Sequence, residues 1–150
     1  MNPAYLSPFE AMERVLEETN LGAVFVDFHA EATSEKACLA YHFDGRVAAV
    51  IGTHTHVATA DTRLLPKGTA FQSDSGMTGP LHSSIGMSLE GSIYKLRTGL
   101  PMKTEVAQGI SVLNAVALEI VNNRVTKLSR YSFTEGNAAG AFQGEVRHGG

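Results

Sequence analysis

Two short runs rich in β-branched and aromatic residues, Ala23–Phe28 and Val47–Ile51, decide most of what this chain can become. Each is too short for a helix and more continuously apolar than an exposed strand, as expected of strands buried in a parallel sheet. A stretch with helical periodicity precedes each run. Ser7-Pro8 reads as N-cap and first helical residue. Phe9, Met12, Val15 and Leu16 then recur on one face, with Glu10, Glu13, Arg14 and Glu17 on the other, to an end near Asn20-Leu21-Gly22. A second helix is predicted from Thr33 or Ser34, either of which can cap it, with Cys38, Leu39 and Phe43 as its apolar stripe and Gly45 just past its end. Helix, strand, helix, strand is the order of an α/β sheet with parallel neighbours.

The character changes after the second strand. Residues 61–91 are rich in Gly, Thr, Ser and Pro, with a short extended piece at Thr69–Ser73, a loop at Gly76–Pro80 and a short helix predicted over Ser88–Leu96. Ile110–Val121 and Val125–Phe133 read as two long strands. The consecutive asparagines Asn122-Asn123 between them tolerate positive φ, which predicts a tight hairpin. The Gly- and Ala-rich tail, 135–150, is expected to be disordered, leaving 1–134 as a single folded unit.

Composition narrows the function. The chain has 150 residues, 43% hydrophobic and 18% charged, with net charge −3 and basic residues scattered along it. That disfavours stable binding to a nucleic-acid backbone but leaves room for a small phosphorylated substrate, because a metal can supply the missing positive charge. One cysteine, Cys38, excludes an internal disulfide and reads as a small core residue. No apolar run approaches the roughly 20 residues that span a bilayer, and the N-terminus has no signal-peptide pattern, so the expected compartment is the cytoplasm.

The chemistry gathers where the strands end. Gly52-Thr53-His54-Thr55-His56 leaves the second strand and places two imidazoles one residue apart; His29 ends the first strand. Imidazole suits zinc, iron and manganese, and Gly52 lets the backbone turn sharply beside an ion. His29, His54 and His56 are therefore the candidate metal ligands, with Asp27 or Glu31 as acceptor for a ring N–H of His29. Asp61 reads as a turn or cap residue. Asp74 opens a glycine-containing loop whose N–H groups are candidates to face an anion. His42 reads as a partly exposed helical residue, His82 lies in the long loop and His148 in the tail. Lys36, Arg63 and Lys67 read as solvated side chains. No nucleophile elbow is present, which disfavours a serine hydrolase.

Four segments resemble one known family: Asp27–Lys36, Gly52–Val57, Leu65–Ala70 and Asp74–Pro80 are similar to the bacterial YmdB-type branch of the calcineurin-like metallophosphoesterases. The resemblance runs from about Phe9 to about Phe133. It implies an α/β sandwich of two sheets flanked by helices. It also implies a dinuclear centre, commonly iron or manganese, and hydrolysis of phosphodiesters such as 2′,3′-cyclic nucleotides. Matched residue by residue, His29 and His54 resemble ligands of one metal and His56 a ligand of its partner.

Members of the family also carry an aspartate on a first strand, a bridging carboxylate and an Asn-His pair whose histidine protonates the leaving group. None of these has a counterpart here, so no catalytic proton donor is assigned. The chain is expected to be a C-terminal portion lacking roughly the first hundred residues, inactive alone and with an exposed sheet edge that makes self-association possible. Three functions remain open from the residues: a dinuclear phosphodiesterase when complete, a non-catalytic remnant binding metal or nucleotide, and a mononuclear metal hydrolase.

Overall fold

The computed structural model describes residues 7–18, 22–137 and 141–147. The expected helix end at Asn20-Leu21 and the histidine at 148 lie outside them. Helix α1 (Pro8–Glu18) is followed by strand β1 (Phe25–His29), helix α2 (Thr33–His42) and strand β2 (Ala49–Thr53). Strands β1 and β2 pair in parallel, Phe25 opposite Ala49 through to His29 opposite Thr53. The short strands β3 (Arg63–Leu64) and β4 (Ala70–Gln72) complete the first sheet, in the order β1-β2-β4-β3. Strand β5 (Thr78–Pro80) leads to helix α3 (Leu89–Thr98), then to β6 (Ser111–Val121), β7 (Arg124–Thr134) and β8 (Ala141–Arg147). These four strands form a second, antiparallel sheet, β5-β6-β7-β8.

The alternation of residues along β1 and β2 separates two cores. Val26, Phe28 and Val50 pack with Leu39 and Ala40 of α2 and its C-cap Phe43, and with Phe9, Met12 and Leu16 of α1. Ala49 and Ile51 point the other way, against Val125 and Leu128 of the second sheet. The layers are helices, first sheet, second sheet, and this is the two-sheet α/β sandwich expected. Helix α3 contributes to neither core.

Local chemistry explains the boundaries. Asn122 (φ 49°) and Asn123 (φ 62°) both take positive φ and close the β6–β7 hairpin in two residues, as a type I′ turn requires. Ala32, not Thr33 or Ser34, occupies the N-cap of α2, and the Glu35 carboxylate accepts its N–H. In the Leu65–Ala70 segment the buried Asp44 carboxylate accepts the N–H groups of Lys67 and Thr69, while the Thr69 hydroxyl donates to the Val47 carbonyl. The role of that segment here is structural.

Two expectations fail. Residues 141–147, in the stretch expected to lack order, pair antiparallel with β7. Cys38 is exposed on α2 and does not join the core.

Among the described residues, strand β1 is the edge of its sheet, paired only with β2, and Phe25 on it is 53% exposed. An apolar edge strand is a template for pairing with another chain. The 150-residue chain is predicted to self-associate as its concentration rises, and Phe25→Lys to reduce that association, measured by analytical ultracentrifugation. A monodisperse wild type, or a variant that associates equally, contradicts this.

Candidate metal centre

The parallel register of β1 and β2 sets His29 opposite Thr53, one residue before His54. The rings of His29 and His54 meet edge to face with centroids 5.0 Å apart, and His54 Nδ1 lies 3.1 Å from His29 Nε2. A cavity of about 210 Å³ is lined by His29, Thr53, His54, His56, Asp74, Gly76 and Met77. The three histidines read from the sequence are thus on one cavity, two of them in direct contact. His42 is elsewhere, bonded to Glu13, and His82 does not line the cavity.

The rings of His29 and His56 are oriented from behind. The Thr53 hydroxyl donates to Asp27 Oδ1 (3.3 Å), so its oxygen is free to accept from His29 Nδ1 (3.1 Å). That leaves the lone pair of Nε2 facing His54. Asp27, expected as a direct acceptor, acts through Thr53. His56 Nδ1 is 3.2 Å from the Ile85 carbonyl, which can only accept; the proton is therefore on Nδ1 and Nε2 is free.

The turn itself is strained. His54 (φ 149°) and His56 (φ 65°) both take positive φ, a conformation that costs a non-glycine residue on the order of 1–3 kcal/mol. The neighbouring loop holds it in place. Thr55 N–H donates to Asp74 Oδ2 at 2.7 Å, Ser75 N–H to the Gly52 carbonyl at 2.9 Å, and Met77 N–H to the His56 carbonyl at 3.1 Å. Gly76 N–H donates to Asp74 Oδ1. The N–H groups of residues 75–77, expected as candidates to face an anion, are all engaged within the protein.

Lys36 is the functional neighbour that sequence reasoning missed. Read as solvated, it is 1% exposed, and its Nζ lies 3.3 Å from Asp74 Oδ2. Its stem passes over Gly52, where a Cβ would fall 2.6 Å from Lys36 Cδ and 2.0 Å from the Ser73 carbonyl oxygen. Gly52 lies within β2 without a positive φ, so this close approach, and not the turn expected from the sequence, is what requires a glycine there. Burial alone would raise the Asp74 pKa. The N–H groups of Thr55 and Gly76, the Thr55 hydroxyl and the Lys36 ammonium outweigh burial and hold the carboxyl below the ordinary range. At Asp61, likewise, burial is outweighed by the Thr59 hydroxyl and by the N–H and hydroxyl of Ser73.

Known proteins resemble this chain in sequence and fold. The YmdB-like protein family matches residues 1–131. The chain belongs to that family. It is 54% identical over 97 residues to the 2′,3′-cyclic-nucleotide 2′-phosphodiesterase of Bacillus subtilis, covering 65% of this chain and 37% of that protein. Among solved structures, a hypothetical protein from Thermus thermophilus superposes with a TM-score of 0.84 at 46% identity, over 90% of this chain and 53% of that one. A novel phosphatase of Mycoplasma pneumoniae gives 0.81 at 38%, over 85% and 47%. The chain spans about half the length, or less, of these YmdB-like relatives.

The donor set fits a cation in part. Nitrogens bound at about 2.0–2.1 Å to one ion lie roughly 3 Å apart, and the His29–His54 nitrogens are separated by 3.1 Å. Among the described residues, no three His, Cys, Asp or Glu side chains form a complete set. Asp74 also lines the cavity; its Oδ2 accepts from Lys36 and Thr55 and its Oδ1 from Gly76 alone.

Breaking a buried pair by removing one partner costs about 3–5 kcal/mol, and Lys36→Met is predicted to lose that much stability in urea unfolding. A loss below about 1 kcal/mol, the range of exposed pairs, overturns the assignment. The lowered pKa of Asp74 fixes the sign of its pH dependence. Its contribution is complete above the unfolded-state value near 3.8 and is lost as pH falls through the lower folded-state value. Asp74→Asn should therefore weaken the fold at neutral pH and flatten the acid limb of its stability curve.

Proposed function

We propose that the protein to which this sequence belongs is a metal-dependent phosphodiesterase acting on small phosphodiesters of the 2′,3′-cyclic-nucleotide class. This chain would contribute one wall of its metal centre. The observation that carries the reading is the 3.1 Å approach of His29 Nε2 to His54 Nδ1 at adjacent parallel strand exits. The name of the Bacillus subtilis relative supports the substrate class.

His29 and His54 would hold one ion and His56 its partner, with iron or manganese the metals that the family resemblance implies. Such ions supply Lewis-acid charge against the phosphoryl oxygens. The chain's own part is orientation. Thr53 and Asp27 aim His29, the Ile85 carbonyl aims His56, and Lys36 with Asp74 fixes the turn between them. Asp74 accepts from Thr55, Gly76 and Lys36, and its lowered pKa leaves it no proton to give a leaving group. The chain alone is therefore an incomplete, inactive half-site.

The same reading sets the protein in the cytoplasm with a small phosphorylated ligand. Among the described residues no helix is long and apolar enough to cross a membrane. The net charge of −3 on this chain disfavours a nucleic-acid backbone, and the β1 edge suits self-association of this chain by itself.

Calorimetric titration with Mn²⁺, paired with an assay on 2′,3′-cyclic AMP, tests this. One weak site per chain, lost in His29→Ala and in His54→Ala, is expected, with no turnover. Two tight sites, one tight site that also requires His56, turnover by this chain, or binding that survives both substitutions would each refute it.

A further inference from the structure

The turn behind His56 is built against its own sequence preference. Ser84 and Met87 exchange both backbone hydrogen bonds (2.8 and 3.0 Å), with Ile85 at φ 47° and Gly86 at φ 101° between them. These are the dihedrals of a type I′ turn, whose first central position ordinarily takes Asn, Asp or Gly. A β-branched residue there is a conformational outlier. Packing does not compensate, since Ile85 is 52% exposed.

The conformation is enforced from both sides. The Ser83 hydroxyl donates to the Pro80 carbonyl (2.7 Å) and accepts from Gly86 N–H (2.8 Å). Across the turn, Ala107 N–H donates to the Gly86 carbonyl at 3.0 Å, and Met87 bridges to Val106. The result is that the Ile85 carbonyl stands 3.2 Å from His56 Nδ1. Over-determined strain of this kind clusters at working sites, and here it delivers an acceptor to a candidate ligand.

We propose that the Ser83–Met87 turn is a positioning device for His56, in which Ser83 fixes the Ile85 carbonyl so that the ring is held as its Nδ1–H tautomer with Nε2 presented to the cavity. Its use in metal binding rests on the function proposed above; the tautomer does not, and can be read without any metal. Ser83 and Ile85 are positioning residues. The Ile85 side chain has no part in the device, because the carbonyl is the working group.

Long-range ¹H–¹⁵N NMR of the full 150-residue chain, with His56 assigned and neutral, reads the tautomer directly. The wild type is expected to show Nδ1–H at His56. Ser83→Ala should convert that signal to a mixture or to Nε2–H, and Ser83→Thr, which keeps the hydroxyl, should restore it. Ile85→Gly keeps the carbonyl and removes the strain, so it should preserve the tautomer and raise the unfolding midpoint. Should Ser83→Ala fail to fold, the wild-type tautomer and the Ile85→Gly result still decide. Nε2–H in the wild type, loss of Nδ1–H in Ile85→Gly, or an unchanged tautomer in folded Ser83→Ala overturns the proposal. The Mn²⁺ titration above judges the metal reading separately.

Discussion

The ion pair between Lys36 and Asp74 is the contact on which the histidine cavity depends. Both side chains are buried to within a few per cent, and they join helix α2 to the loop after β4 through the space left by Gly52. A buried ion pair is in general weak evidence of stability, because desolvation offsets most of the attraction. Here its value is positional. Asp74 accepts from the backbone on either side of the cavity, at Thr55 and at Gly76, and these bonds, with the ammonium's added to them, keep the carboxylate charged and in place. The Asp74 bond to Thr55 N–H adds to those from Ser75 and Met77 in holding the two positive-φ histidines.

The parts of the fold that could be read in the sequence were those fixed by local periodicity or turn chemistry. The apolar runs at β1 and β2 and the Asn122-Asn123 turn each carry their structure within a few residues, although β1, expected to be buried, lies at the sheet edge with alternate residues exposed. What escaped was decided at a distance. A lysine on an amphipathic helix reads as solvated because its partner lies 38 residues further on and its passage depends on a missing Cβ on a third element. Cys38 reads as core by its neighbours, but α2 turns that position outward. Residues 141–147 have the composition of a loose tail and become a strand by backbone pairing with β7, which asks little of side chains.

The cavity was legible to a similar depth. Histidines at strand exits are visible in sequence, and so is the aspartate two residues before His29. Thr53 as the intermediary between them was not, because a threonine in a turn has many ordinary uses. The Ile85 carbonyl was beyond reach altogether, since a backbone acceptor has no residue-type signature and the residue that presents it is one that turn statistics disfavour. The signal that could have suggested it is the serine two residues earlier followed by a glycine, and that pattern is common in loops.

The contact between His29 and His54 is, finally, a consequence of core packing. Along β1, Val26 and Phe28 are committed to the helix-side core, so Phe25, Asp27 and His29 share the opposite face. Along β2, Val50 packs on the helix side and Ala49 and Ile51 on the second sheet, which fixes that strand as firmly. A slip of one residue between them would turn Phe28 out of its core and carry His29 to the helix side, away from Thr53 and His54. The free energy that enforces the register is hydrophobic and belongs to residues that never reach the cavity. The ring nitrogens come within 3.1 Å because the apolar side chains behind them admit only one alignment of the two strands.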